Sequence, residues 1–198
     1  MKYNFSSPSN TSHIQLEVNS NLRKKALPLI KFLKYLFEIL PLLEEEIKKI
    51  VPSLKKKSKT GEIYLALQFI GDAKMKTINF QHRHKNHTTD VLSFPIHENL
   101  RSGTEETPQK IISLGDIIIS YPLAVRQAKE DKITIQQELL ELFIHGLLHL
   151  LGFDHEISHH EANLQFSLER KISLKLQKEN PTLFKKFILG ANLASLKR

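Results

Sequence analysis

The sequence contains no cysteine, which excludes disulfides, cysteine-ligated zinc fingers and a thiol nucleophile. That absence fits a reducing cytoplasm. No apolar run is long enough to span a bilayer: the richest early stretch, LPLIKFLKYLFEILPLL, is broken by Lys31, Lys34 and Glu38 and reads as an amphipathic helix. The start, MKYNFSSPSNTSH, has one lysine and then polar residues, without the apolar centre of a signal peptide. A soluble, cytoplasmic protein with no membrane partner is therefore expected. Internal repeats are also missing. Acids are in deficit, 21 against 29 basic residues, giving a net charge of +8 and a pI near 9.5. Such a molecule attracts polyanions, but charge alone serves solubility equally well.

What is present suffices for a core: 40% of the 198 residues are hydrophobic, 11 of them Phe. The length favours one domain, placed at residues 1–180, with a basic extension at 181–198. Strands are expected at His13–Ser20, Ile63–Ile70, Val91–Phe94 and Ile111–Ile119, from their alternation and flanking turn residues. Helical periodicity covers Ala26–Ile50, with a bend or split at Pro41, and Ala73–His84. Lys55–Gly61 reads as a charged connector and Glu98–Lys110 as a surface loop. Pro122 starts a helix to about Glu130, and Thr134 with Gln137 forms a capping box before Ile135–Leu151. Ser158 and Glu161 repeat that signature before a helix to about Lys178, and Thr182–Leu196 suggests a last basic helix. The class is α+β: a small mixed four-stranded sheet packed by about five helices, plus a basic C-terminal helical extension.

The run HGLLHLLGFDH carries the chemistry. His145 and His149, four apart on a helix, present both imidazoles on one face. Gly152 can take the left-handed backbone that ends a helix and reverses the chain, letting His155 fold back to join them. Three imidazole nitrogens around one cation leave a fourth position for water, the usual arrangement of catalytic zinc. Imidazole also suits Ni, Cu and Fe; the open three-histidine set makes one Zn2+ per chain the expectation. The spacing equals that of the peptidase pattern HExxHxxGxxH, except that Gly146 stands where the glutamate base belongs, which argues against proteolysis. Asp154 and Glu156 remain as carboxylates beside the site or for proton transfer, and Asp154 reads equally well as a turn residue.

Two other segments add weaker signals. In QHRHKNHTTDVLSFP, Arg83 offers a planar fork to a phosphate, although a solvated helix end followed by a histidine-rich loop accounts for the same residues. His82, His84 and His87 are not expected as further ligands, and Thr89-Asp90 can simply close the loop. In LGDIIIS, Gly115 suggests a bulge or a close backbone approach, and Asp116 a buried or site-facing carboxylate.

Taken together, NFQHRHKNHTTDVLSFP, LGDIIIS and ELLELFIHGLLHLLGFDHE resemble the YbeY family of bacterial endoribonucleases, also called rRNA maturation factors, over about Ile63–Ile172. The resemblance implies an α+β fold, one zinc on His145, His149 and His155, and single-strand-specific endoribonuclease activity. It also implies roles in 16S rRNA 3′-end maturation and ribosome quality control, with Arg83 helping to hold the RNA backbone. Expected partners are single-stranded RNA or rRNA and the ribosomal small subunit with its proteins; DNA is not expected. His82 replaces the family's usual aromatic residue, and Thr88 its usual proline. The basic stretch after Asn180 lies outside the match, either adding RNA or ribosome affinity or packing as a surface helix.

The mechanism expected is metal-assisted phosphodiester cleavage, with Arg83 and nearby lysines positioning the phosphate and Asp154 as the carboxylate at hand. Direct attack by water and attack by the ribose 2′-OH both remain open. Two rival readings are a zinc peptidase that recruits its base elsewhere, such as Glu156, and a non-catalytic ribosome-assembly module with structural zinc. The second would need a fourth protein ligand, and the next helix should carry His159 and His160 away.

Overall fold

A computed structural model describes residues 2–4, 14–20, 22, 27–57, 62–97, 100–101, 111–179 and 181. Its elements, in chain order, are β1 (Lys2–Asn4), β2 (Ile14–Ser20), α1 (Leu27–Ile50), α2 (Pro52–Lys57), β3 (Glu62–Ile70), α3 (Asp72–Arg83), β4 (Val91–Pro95), β5 (Ile111–Ser120), α4 (Tyr121–Glu130), α5 (Ile135–Leu150) and α6 (His159–Glu179). The expected last helix at Thr182–Leu196 lies outside the described residues.

The class is α+β, and all four expected strands form one mixed sheet in the order β1-β2-β3-β5-β4. The three-residue β1 adds a short antiparallel edge to β2. Strands β2, β3 and β5 run parallel, and β4 closes the other edge antiparallel to β5. No helix among the described residues is long and apolar enough to cross a membrane.

Side-chain alternation assigns the two faces. Ile63, Leu65, Leu67 and Phe69 of β3 point into the main core with α1 and α5, where Phe69 meets Phe32 edge-on at 6.2 Å between ring centroids. On the opposite face, Ile70, Leu92 and Ile118 pack with Met75 of α3. In β5 the register slips: Tyr64 pairs with Ser113 but Leu65 with Gly115. That bulge changes parity, so Ile112 and Leu114 before it and Ile117 and Ile119 after it all face the main core. The bulge read from Gly115 is thus present, and so is the close approach, because a Cβ there would lie 2.0 Å from the Phe94 carbonyl oxygen.

Two expectations are met only in part. Of the bend or split expected at Pro41 the split is absent, because helix α1 continues through that residue to Ile50. A proline inside a helix costs about 3 kcal/mol or more. Phe32, Leu33, Leu36, Ile39, Leu40, Leu43 and Ile47 are all essentially inaccessible along α1, and each contributes about 1.5–3 kcal/mol. Burial wins. Of the connector expected at Lys55–Gly61, residues 55–57 belong to α2, which docks through buried Leu54 with buried Val51 just before it, and residues 58–61 lie outside the described residues.

Candidate metal centre

Helix α5 carries two of the three histidines. Its start is fixed by the predicted capping box: Thr134 Oγ1 accepts from the Gln137 amide at 3.3 Å, and Gln137 Oε1 accepts from the Thr134 amide at 3.0 Å. Leu139, Leu140, Phe143, Leu147 and Leu148 anchor the helix in the core, leaving His145 and His149 half-buried one turn apart. Gly146 faces the sheet. A Cβ there would lie 3.0 Å from both Ile117 Cγ2 and Ser93 Oγ. The position that carries glutamate in the peptidase pattern therefore points into packed strands here.

The chain reverses immediately after α5. Gly152 has φ +90°, and the Gly152 and Phe153 amides donate to the His149 and Leu148 carbonyls, each at 3.0 Å. Phe153 is buried, with the Arg101 guanidinium 4.4 Å above its ring, and Arg101 also pairs with Glu161 of α6. Asp154 Oδ1 accepts from the Glu156 amide at 2.8 Å, the side-chain turn that directs the following residues. The His155 amide donates to Gln165 Oε1 at 3.1 Å.

These constraints bring the three imidazoles together. Each of His145, His149 and His155 offers a ring nitrogen within 4.8 Å of the others'. Their ring centroids are 4.7, 5.1 and 5.2 Å apart, and the Nε2 atoms of His145 and His149 approach to 3.2 Å. Burial, with His145 and His155 adding to it, pushes His149 down to about 4, so its imidazole is neutral near pH 7, as a ligand must be. His145 Nδ1 donates to Glu169 Oε1 at 2.8 Å, which turns its Nε2 toward the other two histidines. The fully buried Gln165 amide donates to the same carboxylate at 3.2 Å while its oxygen holds the His155 amide. The donor set therefore fits a divalent metal that prefers imidazole. No fourth His, Cys, Asp or Glu joins the group among the described residues.

The other predicted residues fall at different distances from this centre. Arg83, at the end of α3, reaches across to the α5–α6 turn and pairs with Glu156, the neighbour of His155. His82, His84 and His87 are exposed and stay out of the cluster, as do His159 and His160, which α6 carries away after Ser158 caps it. Asp90 closes its loop by accepting from the Val91 amide and the Gln127 side chain, each at 2.8 Å. Asp116 does not face the histidines: it shares the α3 face of the sheet with Gln68, opposite to Ile117 and Gly146. Sequence reasoning missed Glu169 and Gln165. Their signal was an i, i+4 pair on the helix following the third histidine.

Comparison with known proteins accords with this geometry. The family described as Endoribonuclease YbeY matches residues 37–177. A protein named Endoribonuclease YbeY from Thermodesulfovibrio yellowstonii is 37% identical over 164 residues, covering 83% of this chain and 98% of its own. One of the same name from Persephonella marina is 40% identical over 131 residues, covering 65% of this chain and 78% of its own. A solution structure of a Thermotoga maritima protein superposes with a TM-score of 0.50 at 25% identity, covering 85% of this chain and 93% of that one.

Proposed function

The chain belongs to the endoribonuclease YbeY family, and on that premise we propose that it is a zinc-dependent, single-strand-specific endoribonuclease. Its place would be 16S rRNA 3′-end maturation and ribosome quality control in the cytoplasm. The observation that carries the reading is the convergence of His145, His149 and His155 without a fourth protein ligand among the described residues. A structural zinc site is normally closed by four protein ligands, whereas a catalytic one is left open. When bound, zinc supplies Lewis acidity toward the phosphoryl group and water.

The chain's own residues supply the rest. Glu169 and Gln165 hold His145 and His155 in place before any ligand arrives. Arg83 carries a guanidinium matched to a phosphate, and its position beside the His155 loop suits a group that holds the RNA backbone. Asp154, next to His155, is the carboxylate proposed to move a proton, while its Oδ1 keeps the turn formed. The net charge of +8 favours a polyanionic substrate. Residues 1–180 would form the hydrolase domain and 181–198 a basic extension, with the ribosomal small subunit as a partner.

The test is a side-by-side digestion of a single-stranded RNA oligonucleotide and an unstructured protein by the zinc-loaded chain. Cleavage of the RNA alone is expected. Hydrolysis of only the protein overturns the proposal. Product ends divide the two routes, since a 2′,3′-cyclic phosphate requires attack by the ribose hydroxyl.

A further inference from the structure

Phe166 sits on α6 with its ring nearly parallel to the His155 imidazole, at 16° and 6.1 Å between centroids. It follows Gln165, whose side chain is fully buried, and yet 48% of Phe166 remains exposed. Leaving a phenyl ring half in water forgoes part of the stabilisation that burial would contribute. The phenylalanines of the main core, such as Phe32, Phe69 and Phe143, are fully buried; among the described residues Phe80 on α3 is the comparably exposed one, at 54%, and it lies outside the histidine cluster. An exposed aromatic beside a metal-ligand ring thus has a local position that packing alone does not explain.

Resting on the RNA-cleaving reading above, we propose that Phe166 is a nucleobase subsite beside the metal centre, stacking an unpaired base of the strand being cut. Every base has a π-face, and stacking on an aromatic side chain strengthens binding with little regard to sequence. A base within a duplex is already stacked on its neighbours, so this subsite selects single strands. The phosphate side of the same substrate falls to Arg83, whose partner Glu156 adjoins His155. Next to the arginine in sequence, His82 meets Phe94 edge-on, at 69° and 4.9 Å between centroids. The ring is adjacent to the reaction centre and presents one phenyl group, a match for one base rather than for a protein surface.

The experiment uses the full-length zinc-loaded chain with Phe166→Ala, Phe166→Leu and Phe166→Trp. Substrates are a single-stranded RNA oligonucleotide and a series bearing one abasic ribose at successive positions around the cut. Phe166→Ala and Phe166→Leu are expected to raise KM about tenfold, Phe166→Trp to restore it, and metal content to match the wild type. The Phe166→Ala penalty should vanish at one abasic position. Recovery by leucine, loss of metal, or a penalty equal at every abasic position overturns the subsite and makes Phe166 a packing support for His155. If the wild type cuts the intact RNA, those results bear on the subsite alone; if it cuts no RNA, the functional reading falls and the subsite with it.

Discussion

Arg83 Nη2 donates to both carboxylate oxygens of Glu156, each at 2.7 Å, across 73 residues of sequence. The guanidinium holds that carboxyl below the usual range, so Glu156 is an anion wherever the protein is folded near neutral pH. A carboxylate therefore occupies the group proposed to receive an RNA phosphate, and on that proposal the two anions would compete for it.

Replacing Glu156 by Gln should accordingly lower KM for single-stranded RNA. Both partners are substantially exposed, 39% and 53% at the side chain. Exposed pairs of this kind contribute about 0–1 kcal/mol, so the change should be at most about fivefold. A loss of kcat with KM unchanged would instead make Glu156 the proton-transfer group.

Glu169 holds the ring of His145, a proposed ligand, and stands outside the three-histidine group. Its replacement by Ala should weaken zinc binding about 10–100-fold, as measured by competition with a chelator, while the fold persists. An unchanged affinity would show that Gln165 and packing alone hold the His145 ring.

Gly146 decides between the nuclease and peptidase readings. Gly146→Glu restores the peptidase pattern in sequence, but the side chain would enter the space between Ile117 and Ser93. A loss of about 3 kcal/mol or more is expected in denaturant titration, with no hydrolysis of an unstructured protein. A stable variant that cleaves protein would contradict the packing argument.

Glu138, buried near the start of α5, is pushed up to about 7 by burial, with Glu141 and Asp90 adding to it. The folded state thus holds a proton that the unfolded chain has already released, so stability falls as pH rises from about 4.5 to about 7. Glu138→Gln should flatten that decline and raise stability above pH 7 by up to ~3 kcal/mol. Equal slopes for variant and wild type would refute the assignment.

The legible parts of this molecule were those set by local chemistry. The Thr134–Gln137 box, the histidines at i and i+4, and the Gly152 reversal each follow from neighbours in sequence, and each stands where expected. What sequence did not give depends on contacts between distant segments. Pro41 looked like a bend or a break because its cost is local, whereas the burial that keeps the helix continuous comes from the strands and helices packed on α1. The Arg83–Glu156 pair and the Glu169 and Gln165 contacts required knowing that α3 and α6 converge on the turn after α5. Asp116 was read as a buried or a site-facing carboxylate; the β5 bulge fixes which residues face α5, and Asp116 is not among them, so the second alternative falls.

The most direct measurement pairs elemental analysis of the purified chain with cleavage of a single-stranded RNA, for wild type and His149→Ala. The account predicts one zinc per wild-type chain and RNA cleavage, with both lost in a His149→Ala protein that keeps its helical circular dichroism. A folded His149→Ala chain that binds zinc and cuts RNA as the wild type does would contradict it.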